Sequence, residues 1–204
     1  KNAQLNLIQS DKIAPSGSFN IAGGRSFITG ESSIGIVGVL EYRNSWLTRS
    51  GVRQTTVPDV SGLILATDAT FRSTQNDIGW NGLGGLSWLN DNNELRYTGL
   101  WIHSTSKRAR VTQNSPQSQG NANVNAYNTE WYEREMMLHQ VLGKHTLDSV
   151  QIDWRGTYGR TTRDAPYERM YRYGLRADGK RIALLSGANQ LVSFSQLQEN
   201  SASA

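Results

Sequence analysis

Glu133 and Glu135 are the residues of this sequence whose types and spacing most directly suggest chemistry. Two residues apart, they would point to the same side of a β-strand. Two carboxyl groups held close together are the acid and base of glycoside hydrolysis, which would make the chain a secreted glycan-cleaving enzyme. The same pair would also suit the wall of a water-filled interior, where it needs no catalytic role. We favour the second interpretation.

Other catalytic and metal-binding candidates are weaker. His103, His139 and His145 are too scattered for a metal-binding pair at helical spacing, and no H-E-x-x-H motif occurs. The glycine-rich residues 79–85 are similar to a phosphate-binding loop, but no Lys-Ser or Lys-Thr follows them. The chain has no cysteine and no G-x-S-x-G motif, which excludes a thiol nucleophile, a Cys-based zinc site and a serine nucleophile elbow. We therefore predict that the chain is not an enzyme and holds neither a metal nor a cofactor.

The charge distribution argues against nucleic acid as a partner. The chain has 21 Lys plus Arg and 17 Asp plus Glu, and the whole excess of +4 lies in residues 103–204. The arginines of that half are interleaved with aspartates and glutamates, as in residues 153–178. Such mixed-sign sequence is typical of a solvated surface, so we predict no nucleic-acid partner.

The elements that would position these side chains are β-strands. Residues 150–158 alternate between apolar or aromatic positions, such as Ile152 and Trp154, and polar ones, such as Asp153 and Arg155. Residues 131–142 alternate weakly, and a helix there is an open alternative. We predict about eight strands, at residues 2–8, 19–27, 34–46, 77–89, 95–107, 131–142, 150–160 and 172–185.

The connections between these strands alternate in length. Residues 29–32, 90–93 and 143–149 form short polar turns, whereas residues 48–62, 111–127 and 161–179 are predicted to be long loops. No run approaches the roughly 18 apolar residues of a membrane-spanning helix, which excludes a helical membrane protein. Short turns at one end and long loops at the other are typical of an outer-membrane β-barrel, which buries only alternate residues in lipid. The fold class predicted is therefore all-β, an antiparallel transmembrane β-barrel.

Aromatic spacing agrees with a barrel. Trp80 and Trp88 would share a strand face about 27 Å apart, close to the apolar band of about 25 Å between the aromatic girdles of such barrels. An alternative is a soluble all-β carbohydrate-binding module in which Trp80, Trp88 or Trp101 stacks on sugars. The aromatic residues predicted at the membrane interfaces are Tyr42, Trp80, Trp88, Trp101, Trp154 and Tyr158.

Several motifs add a family resemblance. Residues 153–166 match the pattern D-W-x-x-x-Y-x-x-x-x-R-D-x-P, and residues 35–46 match G-x-x-x-x-x-x-Y-x-N-x-W. Residues 129–138 with Gly143-Lys144-His145 are similar to a descending strand and its turn, and residues 92–95 to a periplasmic turn. In this order, across residues 19–176, these segments resemble the barrel of TonB-dependent outer-membrane receptors.

The resemblance implies a fold, a location and partners. Such receptors have about 22 strands around a plug domain, so residues 1–204 would be a portion of the barrel, without the plug and the C-terminal strands. The function implied is active uptake of a scarce nutrient: siderophore-bound iron, haem, cobalamin or an oligosaccharide. The partners implied are outer-membrane lipid and lipopolysaccharide, the small-molecule nutrient, and the plug and TonB through the rest of the protein. A small complete eight-stranded outer-membrane barrel is an alternative, although the chain lacks a terminal aromatic strand.

Two sets of residues follow from the barrel interpretation. The first set would line the lumen: Glu41, Arg43, Arg96, Glu133, Glu135, Asp153 and Arg155. The second set would contact an anionic ligand from the long loops: Arg49, Arg53, Arg108, Arg110, Arg163 and Arg169. Contact with lipopolysaccharide, or simple solvation of the loops, is an open alternative for these arginines.

Overall fold

The computed structural model describes residues 13–60, 62–116, 123–175, 178, 180–182 and 190–204. These residues form eight strands: β1 Gly17–Thr29, β2 Ser32–Asp59, β3 Gly62–Leu89, β4 Asn93–Pro116, β5 Asn123–Leu147, β6 Val150–Leu175, β7 Arg181–Ile182 and β8 Gln190–Ser203. The prediction of an all-β antiparallel fold is confirmed. Among the described residues, no helix is long and apolar enough to cross a membrane.

The strands form one antiparallel sheet in which neighbours in sequence are neighbours in space. The order runs from β1 to β7, and β8 also pairs with β6. Within the described part of the chain β1 pairs with β2 and β8 pairs with β6, so the sheet is not closed. Each side chain therefore belongs to one of two sheet faces, and the register decides which.

Short turns join the strands at one end of the sheet, as predicted. Gly30 has φ +61° between β1 and β2, a left-handed conformation that glycine adopts without steric cost. Between β3 and β4 the Asn90 side chain accepts hydrogen bonds from the backbone N–H groups of Asn92 and Asn93. Asp148, between β5 and β6, has φ 51°, which aspartate tolerates better than most residues. These local turns fix the registers of three hairpins.

The predicted long loops are largely wrong. Residues 48–59 continue β2, residues 111–116 and 123–127 belong to β4 and β5, and residues 161–175 continue β6. Their polar composition suggested loops, but ladder hydrogen bonds join backbone groups and do not depend on apolar side chains. Thr, Val and Tyr in these segments also favour extended backbone. The strands consequently run far beyond the apolar part of the sequence.

Other element boundaries also differ from the prediction. Residues 131–142 form a continuous part of β5, so the helical alternative is wrong. The predicted strand at residues 172–185 is divided between the end of β6 and the short β7, while β8 was not predicted. The predicted strand at residues 2–8 lies outside the described residues.

The sheet has little core. The buried apolar side chains of the described region are Ala69, Ala109, Val124, Ala165 and Tyr173, all on the half of the sheet away from the short turns. Large apolar side chains near the turns are exposed instead; Ile36 retains 50% and Leu86 52% of its accessible surface. An apolar surface of this extent needs a covering medium or partner.

Candidate functional site

One face of the sheet, called here the aromatic face, carries all six aromatic residues predicted at membrane interfaces. Tyr42 pairs with Trp80, and Trp80 pairs with His103. Trp88, Trp101, Trp154 and Tyr158 lie an even number of residues from paired positions on their own strands, so they share this face. Local alternation was therefore sufficient to place these six side chains together.

The aromatic face has two rows of large side chains at different levels. The lower row, next to the short turns, contains Phe27, Ile34, Trp88, Leu95, Gly143 and Trp154. The upper row contains Phe19, Tyr42, Trp80 and His103. Trp80 and Trp88 are eight residues apart on β3, which places the two rows about 27 Å apart.

Aromatic contacts order both rows. In the upper row the rings of Phe19 and Tyr42 lie 5.5 Å apart, and those of Tyr42 and Trp80 lie 4.5 Å apart. In the lower row the Trp154 indole N–H donates to His145 Nε2 at 3.1 Å, and the two rings are stacked. Such amphipathic side chains suit a boundary between an apolar medium and water.

Between the rows the aromatic face is mainly apolar, and we call this region the apolar band. Its large side chains include Ile36, Leu86, Tyr97 and Val141 near the lower row, and Ile21, Leu40, Trp101 and Met137 near the upper row. Four glycines, Gly23, Gly38, Gly84 and Gly99, lie opposite one another between them. β1 to β6 carry the band, whereas β8 presents mostly polar residues.

Two arginines fall at the levels of the apolar band. Arg25 on β1 lies two residues from the lower row, with its guanidinium 5.0 Å from the centre of the Phe27 ring. Arg160 on β6 lies two residues from the upper level and donates to the Gln198 amide oxygen at 3.4 Å. Both side chains are long enough to place their charge near a row rather than at the middle of the band.

From the upper row onwards the aromatic face becomes polar: Glu135 lies opposite His103 at the level of that row, and Glu133 lies two residues beyond it. The Glu135 carboxylate accepts the Trp101 indole N–H at 3.3 Å and lies 3.8 Å from His103. The Glu133 carboxylate accepts the indole N–H of Trp131 at 3.1 Å. Each carboxylate thus has its own tryptophan partner, and nothing in this arrangement forms an acid and base pair around a common cleft.

The opposite face, called here the polar face, carries the other five residues predicted to line a lumen: Glu41, Arg43, Arg96, Asp153 and Arg155. Glu41 accepts a hydrogen bond from the Asn81 amide at 3.1 Å, and Arg96 forms an ion pair with Glu94. The structure therefore does not bring all seven predicted residues together. Glu135 lies opposite His103, which is on the aromatic face. Glu133 is two residues away on the same strand and therefore shares that face.

The arginines predicted to contact a ligand from loops all lie in strands, so the loop placement is wrong. Arg49, Arg53, Arg108, Arg110 and Arg163 are on the polar face, and Arg169 is on the aromatic face. Whether any of them contacts a ligand remains a prediction. Their common feature is a position on the half of the sheet away from the short turns.

The polar face in that half contains a network of charged and polar groups. Arg108 pairs with Glu130, and Ser106 donates to Asp77 at 2.7 Å. Ser193 donates to Glu168 at 3.2 Å. Of these three carboxylates only Glu130 is paired with an arginine, whereas Asp77 and Glu168 accept from neutral hydroxyl groups.

Tyr132 lies within this network, beyond the level of the upper row. Burial raises the pKa of its phenol, and the nearby carboxylates of Glu168 and Glu130 raise it further. Arg163 and Arg108 oppose the shift, and the Arg163 guanidinium lies 5.2 Å from the centre of the Tyr132 ring. Desolvation and negative neighbours both favour the neutral phenol.

Arg110 and Asn128 lie directly opposite each other on β4 and β5. The Arg110 Nε and the Asn128 Oδ1 are buried without a hydrogen-bond partner, although the Arg110 guanidinium lies 4.5 Å from the centre of the Phe71 ring. Sequence reasoning named Arg110 but missed Asn128, and it also missed Arg134 and Tyr132. Alternation in the sequence predicts which face of the sheet each of these residues occupies, but it does not predict their partners on the neighbouring strands.

Neither a metal site nor a match to a known protein family assigns a function to the described residues. Within the described part of the chain, no group of three or more His, Asp or Glu side chains is placed to hold a metal ion. No protein-family model matches the chain, and no curated protein matches it significantly. Function therefore has to be inferred from the two faces of the sheet.

Proposed function

We propose that this chain is part of an outer-membrane β-barrel, a portion of a TonB-dependent receptor that takes up a scarce nutrient. The observation that carries the proposal is the apolar band between two aromatic rows about 27 Å apart on one face of the sheet. Outer-membrane barrels have a lipid-facing apolar band about 25 Å tall between aromatic girdles. At the levels of the band the opposite face carries the charged side chains of Glu41, Arg96 and Arg155. It also carries an apolar layer at one level, formed by Val39, Leu83, Leu100 and Leu138.

The length of the strands supports the same function. β2 and β3 have 28 residues each, whereas a strand that only crosses the hydrocarbon needs about ten. Nearly all of the additional residues extend past the upper row, where the sequence of both strands is more polar. The short turns lie at the lower row, which would face the periplasm.

The open edges support a larger assembly. In hydrocarbon every unpaired backbone group costs several kcal/mol, so a spanning sheet has to be closed. β1 has one paired side among the described residues, and so does β8. Further strands would complete the barrel, and the plug, TonB and the lipopolysaccharide leaflet are the partners that follow from the proposal.

The receptor motif fits the local geometry of β6. Asp153 and Arg163 lie on the polar face, while Trp154 and Tyr158 lie on the aromatic face. Pro166 falls at a register shift where neither neighbouring strand pairs with it, which suits a residue without a backbone N–H. These placements are compatible with a strand that passes from the membrane into an extracellular extension.

Depth-dependent fluorescence quenching tests the membrane assignment. The chain is folded into phosphatidylcholine vesicles whose acyl chains carry bromine at a shallow or a deep position, and Trp80→Phe and Trp88→Phe variants are compared with the unchanged chain. We expect both tryptophans to be quenched more by the shallow bromines than by the deep ones. A chain that is monomeric and unfolds cooperatively in buffer without lipid or detergent would contradict the proposal and favour the carbohydrate-binding module.

Transport is tested in cells that produce the whole receptor. Uptake of radiolabelled siderophore-bound iron, haem, cobalamin and oligosaccharide is compared with cells lacking the gene. We expect uptake of one nutrient that stops when the proton gradient is dissipated. Uptake of all four that is insensitive to the gradient would indicate a passive pore.

A further inference from the structure

We propose that Arg134 and Arg163 together bind an oxyanion group, a phosphate or a carboxylate, of a small ligand on the polar face. This inference rests on the proposed function only in that the polar face must be open to water. Neither residue belongs to the apolar band, and no sequence motif identified them as a pair.

The two arginines lie directly opposite each other on β5 and β6. Directly opposed residues of an antiparallel pair have Cβ atoms about 4.5–5.5 Å apart, and two like charges in this relationship destabilise the sheet. Both side chains are exposed. Among the residues that the structure describes, neither guanidinium forms an ion pair. The pair is therefore a concentration of positive charge in which neither guanidinium is bound to a carboxylate of the described residues.

The positions directly beside the pair carry no acidic side chain, and Glu199 on β8 lies diagonal to Arg163 without forming an ion pair with it. Ser104 lies opposite Arg134 on β4, and Leu197 lies opposite Arg163 on β8. Met136 and Tyr132 flank Arg134 along β5. The carboxylates farther along this face, Glu130 and Glu168, are engaged by Arg108 and Ser193.

The geometry is suited to an oxyanion. Each guanidinium presents a planar set of N–H donors that can bind a phosphate or carboxylate through two parallel hydrogen bonds. The Arg163 guanidinium lies over the Tyr132 ring, 5.2 Å from its centre, a cation–π distance that leaves its N–H groups available. Two such donors side by side would hold one oxyanion between them and remove their mutual repulsion.

The location distinguishes a small ligand from a lipid. The arginine pair lies on the polar face, one residue beyond the level of the upper row, so lipid that covers the aromatic face is on the other side of the sheet. Arg160, three residues from Arg163 on the same strand, lies on the aromatic face. It therefore provides a matched control with the same change of charge on the other side of the sheet.

Isothermal titration calorimetry of the full chain in detergent micelles tests the proposal, with pyrophosphate and citrate as probes at low salt. Loss of one charge-assisted hydrogen-bonded partner should weaken binding about tenfold or more in Arg134→Gln and in Arg163→Gln. Arg160→Gln should bind like the unchanged chain. Preference for pyrophosphate or for citrate identifies the phosphate or carboxylate source.

Equal affinities in all four proteins, or equal loss in Arg160→Gln, would overturn the proposal. The double variant Arg134→Lys with Arg163→Lys keeps both charges and removes the planar donors, so it remains informative if a glutamine variant does not fold. We expect it to bind pyrophosphate more weakly than the unchanged chain. Anion binding in a chain that is soluble without detergent would refute the proposed function alone, whereas a chain that inserts into bilayers but binds neither probe would refute this inference alone.

Discussion

Tyr42 on β2 and Trp80 on β3 lie directly opposite each other, with ring centroids 4.5 Å apart. Phe19 on β1 joins them, 6.0 Å from Trp80 and nearly perpendicular to it. Three consecutive strands are thus linked by aromatic contacts at one level of the sheet, which is the upper boundary of the apolar band.

We expect Tyr42 and Trp80 to stabilise the folded sheet cooperatively. A double-mutant cycle with Tyr42→Ala and Trp80→Ala should give a coupling free energy of about 0.5–1.5 kcal/mol, as aromatic pairs do. The measurement is urea unfolding of the chain folded in phosphatidylcholine vesicles. Tyr42→Ala combined with Trp154→Ala, a residue in the lower row, serves as the control and should be additive. Additivity in both cycles would show that the upper row is not an interacting unit.

A charge placed in the apolar band should be much more costly than one placed on the polar face. Leu86→Arg puts a guanidinium between the two rows, and we expect it to lower the free energy of unfolding in vesicles by about 1–3 kcal/mol. Thr98→Arg, an exposed position of the polar face, should change it by less than about 0.5 kcal/mol. Equal effects of the two substitutions would mean that both faces meet the same medium.

Alternation predicted the strand cores and the aromatic face because large apolar and aromatic side chains recur at every second position of the strands near the short turns. It failed for residues 48–59 and 161–175, where both sides are polar and only the backbone ladder defines the strand. The predicted lumen-lining set also placed Glu133 and Glu135 with Glu41, because all three are charged. Pairing with His103 places Glu135 on the aromatic face, and that register is not visible in the local sequence.

The opposition of Arg134 and Arg163 can be counted from the short turn between β5 and β6, because the register is unbroken from Leu147 and Val150 to this pair. Each residue has a clear parity within its own strand, and their opposition follows from the β5–β6 register. That register shifts between Trp131 and Glu133, so counting back from the turn fails for residues farther from it. A short turn therefore predicts partners only as far as the first bulge.

Gly143 is needed because the Trp154 indole lies over it. A Cβ at this position would come close enough to the indole ring to clash, so we expect Gly143→Ala to displace Trp154 and cost about 1–3 kcal/mol. Gly156→Ala, whose added Cβ meets no atom within 4 Å, is the matched control and should be close to neutral. Urea unfolding and the emission maximum of Trp154 measure the two effects. An unshifted emission in Gly143→Ala would show that the indole does not occupy this position.

Tyr132 should make stability depend on alkaline pH. Because folding raises its pKa above the usual value of about 10, the folded state binds more protons than the unfolded state between the two pKa values. The stabilisation it contributes is therefore fully present below about pH 10 and is lost as the pH rises through the folded-state pKa. We expect the unfolding free energy of the unchanged chain to fall more steeply above pH 10 than that of Tyr132→Phe. Tyr167→Phe, which removes one phenol from the same half of the sheet, controls for the number of tyrosines, and a Tyr132→Phe slope equal to that of the unchanged chain would contradict the raised pKa.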